Sequence, residues 1–220
     1  MIRPMKKSSI ALLLAASLAT LPACNGLFEG LYDQPAPTEE NGFGFIRVDS
    51  STRSGTIYID ATSYTVWNYI DFRTSTVVAL GTDADEPAAW DFAVHRYDAK
   101  TNGGSVLDTA LSDFEPLRNA EQLPDGDYVE DIWTTEQITV DMSHMMDGYL
   151  IYAVSDYNAE VSKWLDVDTS EMPPVYTLSH RIYVVRLADG THVALQLADF
   201  MDASGTKGVL TVDYRYPFES

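Results

Sequence analysis

Ile182-Tyr183-Val184-Val185-Arg186-Leu187, then Ala188-Asp189-Gly190, then Val193-Ala194-Leu195-Gln196-Leu197 is the stretch on which the fold turns. Two runs rich in aliphatic and β-branched residues flank an Asp-Gly pair. That pair accepts the positive φ a tight turn demands, so the stretch predicts a β-hairpin. Toward the C-terminus, Leu210, Val212, Tyr214 and Tyr216 alternate with polar residues, which puts all four on one face of a closing strand. Toward the N-terminus, residues 56–59, 66–72, 76–80, 90–97 and 149–154 read as further strands, with 90–97 the strongest. Asn102-Gly103-Gly104 marks a turn or bulge. Helix signals are few: 159–165 suits one or two turns, and 107–114 is ambiguous between helix and strand. Thirteen Tyr and four Trp suit layered strands with amphipathic edges. The expected fold class is all-β with minimal helix; periodicity does not separate barrel from sandwich.

The N-terminus reads as an export signal. Arg3, Lys6 and Lys7 precede a short apolar run over 8–21, followed by Leu21-Pro22-Ala23-Cys24. A basic start, a short apolar region and small residues before the cut mark a secretory signal, and the run is short for a membrane span. Cys24 is the one cysteine of the chain, and its position suits a lipid anchor. The expected organisation is a signal peptide over 1–23, lipidated Cys24 with a polar tether over 24–52, and one β domain over 53–220. Phe28, Phe43, Phe45 and Ile46 are the apolar residues by which part of the tether could dock. The chain carries 14 Lys and Arg against 33 Asp and Glu, a net charge of −19. Removing the signal takes three basic residues and no acidic one, leaving 11 against 33, about −22. Such a surface repels nucleic acid and anionic lipid.

No hydrolytic motif is present: no Gly-x-Ser-x-Gly, no His-Glu-x-x-His, no Gly-rich phosphate loop. Two loops carry the unusual chemistry. The first is Met142-Ser143-His144-Met145-Met146-Asp147-Gly148. The second is Asp168-Thr169-Ser170-Glu171-Met172-Pro173-Pro174. A methionine thioether is a soft ligand that can coordinate haem iron and favours the ferrous form, yet methionine also fills irregular cores. On residue types alone His144 ranks above Met145 as an iron ligand, because imidazole is the commoner one. In an extended segment the two neighbours point to opposite faces. His95 reads as a structural, hydrogen-bonded histidine, and His180 and His192 flank strands near a hairpin.

The chain resembles the HmuY-like haem-binding lipoproteins of Bacteroidetes. The resemblance rests on Ile59-Asp60-Ala61-Thr62-Ser63-Tyr64 with Trp67 and Phe72, and on Trp90-Asp91-Phe92-Ala93-Val94-His95-Arg96-Tyr97-Asp98 with Thr101-Asn102-Gly103-Gly104. It continues through Lys163-Trp164-Leu165, Pro174 to Ser179, Tyr183-Val184-Val185-Arg186, and Lys207-Gly208 with Tyr214-Arg215-Tyr216-Pro217. The resemblance implies a "right-hand" fold that grips haem between loops and hairpins. It also implies a haemophore without catalysis: a lipoprotein of the outer membrane at the cell surface, anchored or shed. Such a carrier takes haem b (iron protoporphyrin IX) as cargo, in part from host haemoproteins, and passes it to a TonB-dependent receptor. The family's founding pattern holds iron with two histidines, and those positions fall here on Tyr149 and Thr169. The resemblance then implies Met145 and Met172 as the axial ligands, with Met146, Met142 and His144 as fallbacks. Tyr149 becomes a haem-pocket contact or a packed core tyrosine. The alternative function is a surface adhesin or glycan-binding lipoprotein, with Trp67, Trp133 and Trp164 available to stack on sugars.

Overall fold

Among the described residues of a computed structural model (42–118, 124–170 and 173–218), fifteen strands carry the fold, β1 to β15 in chain order. The signal, Cys24 and Met172 lie outside those residues. So does the unit Met1–Gln34; everything below belongs to the other unit, Pro35–Ser220. The larger sheet has seven strands. Their order is β1 (Gly44–Asp49), β2 (Ser54–Asp60), β15 (Lys207–Arg215), β14 (His192–Met201), β13 (Ile182–Arg186), β7 (Ser105–Asp108) and β8 (Val129–Glu130). A second sheet runs β4 (Thr76–Gly81), β3 (Val66–Asp71), β5 (Phe92–His95) and β6 (Asp98–Thr101). Two isolated hairpins complete the set: β9 (Ile132–Asp141) with β10 (Ile151–Tyr157), and β11 (Leu165–Asp168) with β12 (Val175–Leu178). Every pairing is antiparallel.

The hairpin around Asp189-Gly190 is β13–β14, with Val185 opposite Val193 and Gly190 at a φ of +86°. Its first strand is apolar from Ile182 to Val185 because both faces are covered there. Tyr183 and Val185 face the main core, while Ile182 and Val184 join a smaller cluster with Ala194, Leu117 and Phe218. A continuous apolar run of this kind is what a strand buried on both sides requires. Leu210, Val212 and Tyr214 of β15 face the main core as the alternation predicts, and Tyr216 packs at its rim.

The main core joins the two sheets: Ile57, Ile59, Leu195 and Leu210 from the larger meet Ile70, Phe92 and Val94 from the smaller. Each fully buried aliphatic or aromatic side chain contributes roughly 1.5–3 kcal/mol. Trp164 is fully buried in a 3-10 turn, Val161–Trp164, where its Nε1 donates to the Tyr97 carbonyl at 2.7 Å. That turn is the only helical structure found within 159–165, and 107–114 is strand followed by loop.

Two features differ from expectation. Residues 90–97 are not one strand: β5 ends at His95, and Arg96 takes a φ of +53°, turning the chain into β6. No Gly or Pro announces that turn. Ordered structure also begins inside the stretch expected as tether. Strand β1 pairs with β2, and Phe45 sets its ring against Phe72 (6.1 Å) and Tyr214 (5.2 Å). The docking aromatics outweigh the Gly and polar content around them.

Candidate functional site

The β9–β10 hairpin stands out from the sheets and is fastened at its base. Asp131 accepts from the Thr101 N–H (2.6 Å) and from Asn158 Nδ2 (2.8 Å). Ile138 is fully buried against Trp67, Tyr69 and Trp90 behind the smaller sheet. Lys100 sits beside it, its Nζ 4.4 Å from the Trp67 ring centre and 2.5 Å from Glu86.

The tip of this hairpin is the first methionine loop, and local bonds shape it. Asp141 ends β9 and accepts from the Ser143 N–H at 2.7 Å, an Asx turn that satisfies the first free backbone donor. A 3-10 turn, Met145–Asp147, follows, closed by the Met145 N–H to the Met142 carbonyl (3.0 Å) and by Gly148 at a φ of +86°. Gly148 is required there, since a β-carbon disfavours that conformation. His144 stacks on Tyr149 (4.6 Å, 12° between planes), and its Nδ1 lies 3.3 Å from Asp147. The turn directs the side chains differently from an extended loop. Met145 and Met146 are exposed, at 47% and 91%, while Met142 lines the cleft beneath.

The second loop repeats the device. Asp168 ends β11 and accepts from the Ser170 N–H at 2.8 Å. Thr169 and Pro174 line the same cleft from this side.

Between the hairpins lies a cleft of about 460 Å³. Met142, Leu150, Leu165, Val167 and Tyr176 supply apolar wall; Arg96, Tyr97 and Asp98, at the turn from β5 to β6, supply polar floor. The volume is in the range of ligand pockets, and Gln137, Thr139, Ser162 and Thr169 add polar groups to the apolar wall. A cleft of about 480 Å³ between Arg47 and Arg215 and a groove of about 680 Å³ along β1 and β4 take no residue from either hairpin.

Burial tunes the polar groups. The Asp98 carboxyl is pushed up to about 6 by desolvation, against a hydrogen bond from Gln137 of β9 (3.1 Å). Burial also raises the Tyr97 phenol. His95 is fully buried and its pKa is lowered, first by desolvation. Its Nε2 lies 2.8 Å from the Tyr64 carbonyl, so the neutral ring carries its proton there and serves structure, as its mid-strand place implies. His180 is exposed at a positive φ and His192 packs edge-on to Tyr128. No group of three or more His, Cys, Asp or Glu able to hold a metal ion occurs among the described residues.

The structure thus brings Met142 and Thr169 to one cleft, leaves Met145, Met146, His144 and Tyr149 on the turn above it, and does not describe Met172. Sequence reasoning passes over the floor residues Arg96 and Asp98. Nor does it single out Leu165 and Val167, whose alternation with Asp166 and Asp168 is the available signal.

Comparison with known proteins gives the family and the fold. Residues 63–214 match the model of the HmuY protein family. A candidate HmuY-like haem-binding protein of Bacteroides vulgatus is 56% identical, covering 81% of this chain and 100% of its own, with a TM-score of 0.77. A candidate lipoprotein of Bacteroides fragilis is 51% identical over 84% of this chain and 100% of its own, with a TM-score of 0.79. The apo HmuY analogue of Tannerella forsythia shares the fold at 24% identity and a TM-score of 0.63, over 73% of this chain and 94% of its own. No curated protein matches the chain.

Proposed function

The chain belongs to the HmuY family, and from that premise we propose that it binds haem between its two hairpins as a cargo it carries without transforming. One observation carries the reading: both methionine loops cap hairpins that open onto a single cleft with apolar residues from each hairpin in its wall. A flat macrocycle in that cleft would meet Leu150 and Met142 on one side, Val167 and Tyr176 on the other.

The iron is held by one thioether from each loop: Met172 from the second, Met145 from the first. Met142 is the rival for the first position, because it already lines the cleft. For Met145 to bind, the 3-10 turn at Met145–Asp147 must unwind toward the cleft. His144 is spoken for by Tyr149 and Asp147. Two thioethers would favour ferrous haem and fill both axial positions, which suits a carrier and leaves no open coordination site for catalysis. The cargo is haem b, drawn in part from host haemoproteins. The protein hands it to a TonB-dependent receptor from the outer-membrane surface, where Cys24 carries the lipid anchor or from which the protein is shed. The adhesin or glycan reading is weaker, since Trp67 and Trp164 are buried and only Trp133, of the three aromatics suited to sugars, is exposed.

The test is a visible-absorption titration of the chain from Asn25 onward with haem, in air and after dithionite. Met142→Ala, Met145→Ala, Met172→Ala and His144→Ala are titrated beside it. A one-to-one, six-coordinate, low-spin spectrum that is tightest when reduced and lost in Met172→Ala and Met145→Ala is expected. Loss in Met142→Ala instead would move the first ligand by one turn. No saturable change in either redox state would end the haem reading.

A further inference from the structure

Arg96 holds a place that packing alone does not explain. Its φ of +53° is in the left-handed region, a strained state for a side chain with a β-carbon. Arg96 lines the cleft, and its guanidinium lies between two rings, with Cζ 4.4 Å from the Tyr64 ring centre and 5.1 Å from that of Tyr97. Nη1 donates to the carbonyls of Ala61 (2.9 Å) and Thr62 (2.6 Å). Those two bonds suffice to tie the 61–62 segment down. Nη2 reaches the Tyr97 hydroxyl only at 3.5 Å, and Nε is buried without a partner. No carboxylate pairs with Arg96 among the described residues, in a chain of 33 acidic and 14 basic side chains.

A second cation lies close by. Gly208 makes room for Arg96, since a β-carbon there would come within 2.5 Å of Nη1. The next residue back, Lys207, sets its Nζ 3.8 Å from the Tyr176 ring centre, again with no carboxylate partner among the described residues. Tyr97 and Tyr176 meet edge to face at 5.7 Å, and both line the cleft. Two cations without an acidic partner among the described residues therefore bracket one aromatic pair in the cleft wall.

We infer that Arg96, which lines the cleft, and Lys207, set against the Tyr176 ring at its wall, hold the two propionates of a porphyrin. The inference rests on the haem reading and adds the orientation of the ligand to it. A strongly acidic protein repels a dianion at long range. Capture then needs local donors, and a guanidinium whose Nη2 is engaged only by a long bond to the Tyr97 hydroxyl supplies charge-assisted bonds to carboxylate.

The experiment compares reduced haem with its dimethyl ester, which keeps the ring and iron and removes both negative charges. The wild-type chain, Arg96→Gln, Arg96→Lys and Lys207→Gln are each titrated with both porphyrins, and folding is checked by thermal unfolding. The wild type should bind the free acid about ten- to a hundredfold more tightly than the ester, the range expected for charge-assisted bonds. Lys207→Gln should shrink that ratio at least severalfold while leaving ester affinity nearly unchanged; Arg96→Gln should shrink it as well, and Arg96→Lys should restore part of it. Lys207→Gln keeps the test sound if Arg96→Gln fails to fold. Equal wild-type affinity for acid and ester would overturn the inference and leave haem binding intact. Undiminished discrimination in Lys207→Gln and Arg96→Lys would overturn it as well. Saturable binding of neither porphyrin would remove the haem reading and this inference together.

Discussion

Replacing Asp98 with asparagine should make the protein more stable at neutral pH, although it deletes a hydrogen-bonded carboxylate. Asp98 titrates near 6 in the folded chain against 3.8 when free, because burial disfavours its charge more than the Gln137 bond favours it. The folded pKa is raised. Between 3.8 and about 6 the folded chain therefore keeps a proton that the unfolded chain has released, and stability from this group falls as pH climbs through that window. Above about pH 6 the cost is complete; below 3.8 it is gone. The shift of about 2 units at 1.36 kcal/mol each sets an upper bound near 3 kcal/mol. Water at the cleft mouth reduces this to about 1–2 kcal/mol. An asparagine side chain keeps the shape and accepts the same bond from Gln137. Urea unfolding followed by tryptophan fluorescence at pH values from about 3.5 to 7.5 gives the difference in stability between Asp98→Asn and wild type, in which other carboxylates cancel. That difference should be near zero at about pH 3.5 and grow through about pH 4–6 to favour the variant at pH 7. A flat difference across that window, or a variant weaker than wild type at pH 7, would refute the assignment of a carboxylate held against its own charge.

Other perturbations read other parts of the molecule. Porphyrin filling the cleft strips further water from Asp98, so haem should bind more tightly at about pH 6 than at about pH 7.5; Asp98→Asn should flatten that dependence, and a pH-independent wild type would speak against placing haem there. Trp164→Ala removes a fully buried ring and the bond to Tyr97, and should cost about 3–5 kcal/mol by denaturant unfolding. Trp164→Phe should recover most of it. A chain shortened to begin at Arg53 loses β1 and the Phe45 contacts, and should unfold at least about 2 kcal/mol more easily; unchanged stability would return 42–52 to the tether. Gly148→Val forces a branched side chain into a φ of +86°, and should alter haem affinity through the first loop while shifting global stability by no more than about 1 kcal/mol.

What is legible in the sequence is local. The Asp189-Gly190 hairpin and the buried face of Leu210, Val212 and Tyr214 follow from turn chemistry and alternation over a few residues. The partnership of β2 with β15 is not local: Ile57 meets Val212 across most of the chain, and only the shared core sets that register. The break at Arg96 is hidden because a non-glycine residue takes the left-handed conformation there. The methionine loops announce themselves by composition, bounded by Asp147-Gly148 and Pro173-Pro174. Which methionine faces the cleft is not announced, because a 3-10 turn redirects side chains that an extended loop would alternate.

The two hairpins that frame the cleft belong to neither large sheet, and the side chains at the first tip are exposed, Met146 almost completely. Surface residues of this kind exchange at little cost to folding, generally within about 0.5 kcal/mol. Selection can therefore rewrite the residues of the tips almost freely, while the body beneath them tolerates little. The arrangement separates the inheritance of a scaffold from the inheritance of a ligand set. Descendants of one fold can thus diverge in which atoms grip their cargo, and in the redox state they prefer, before anything in the core records the change.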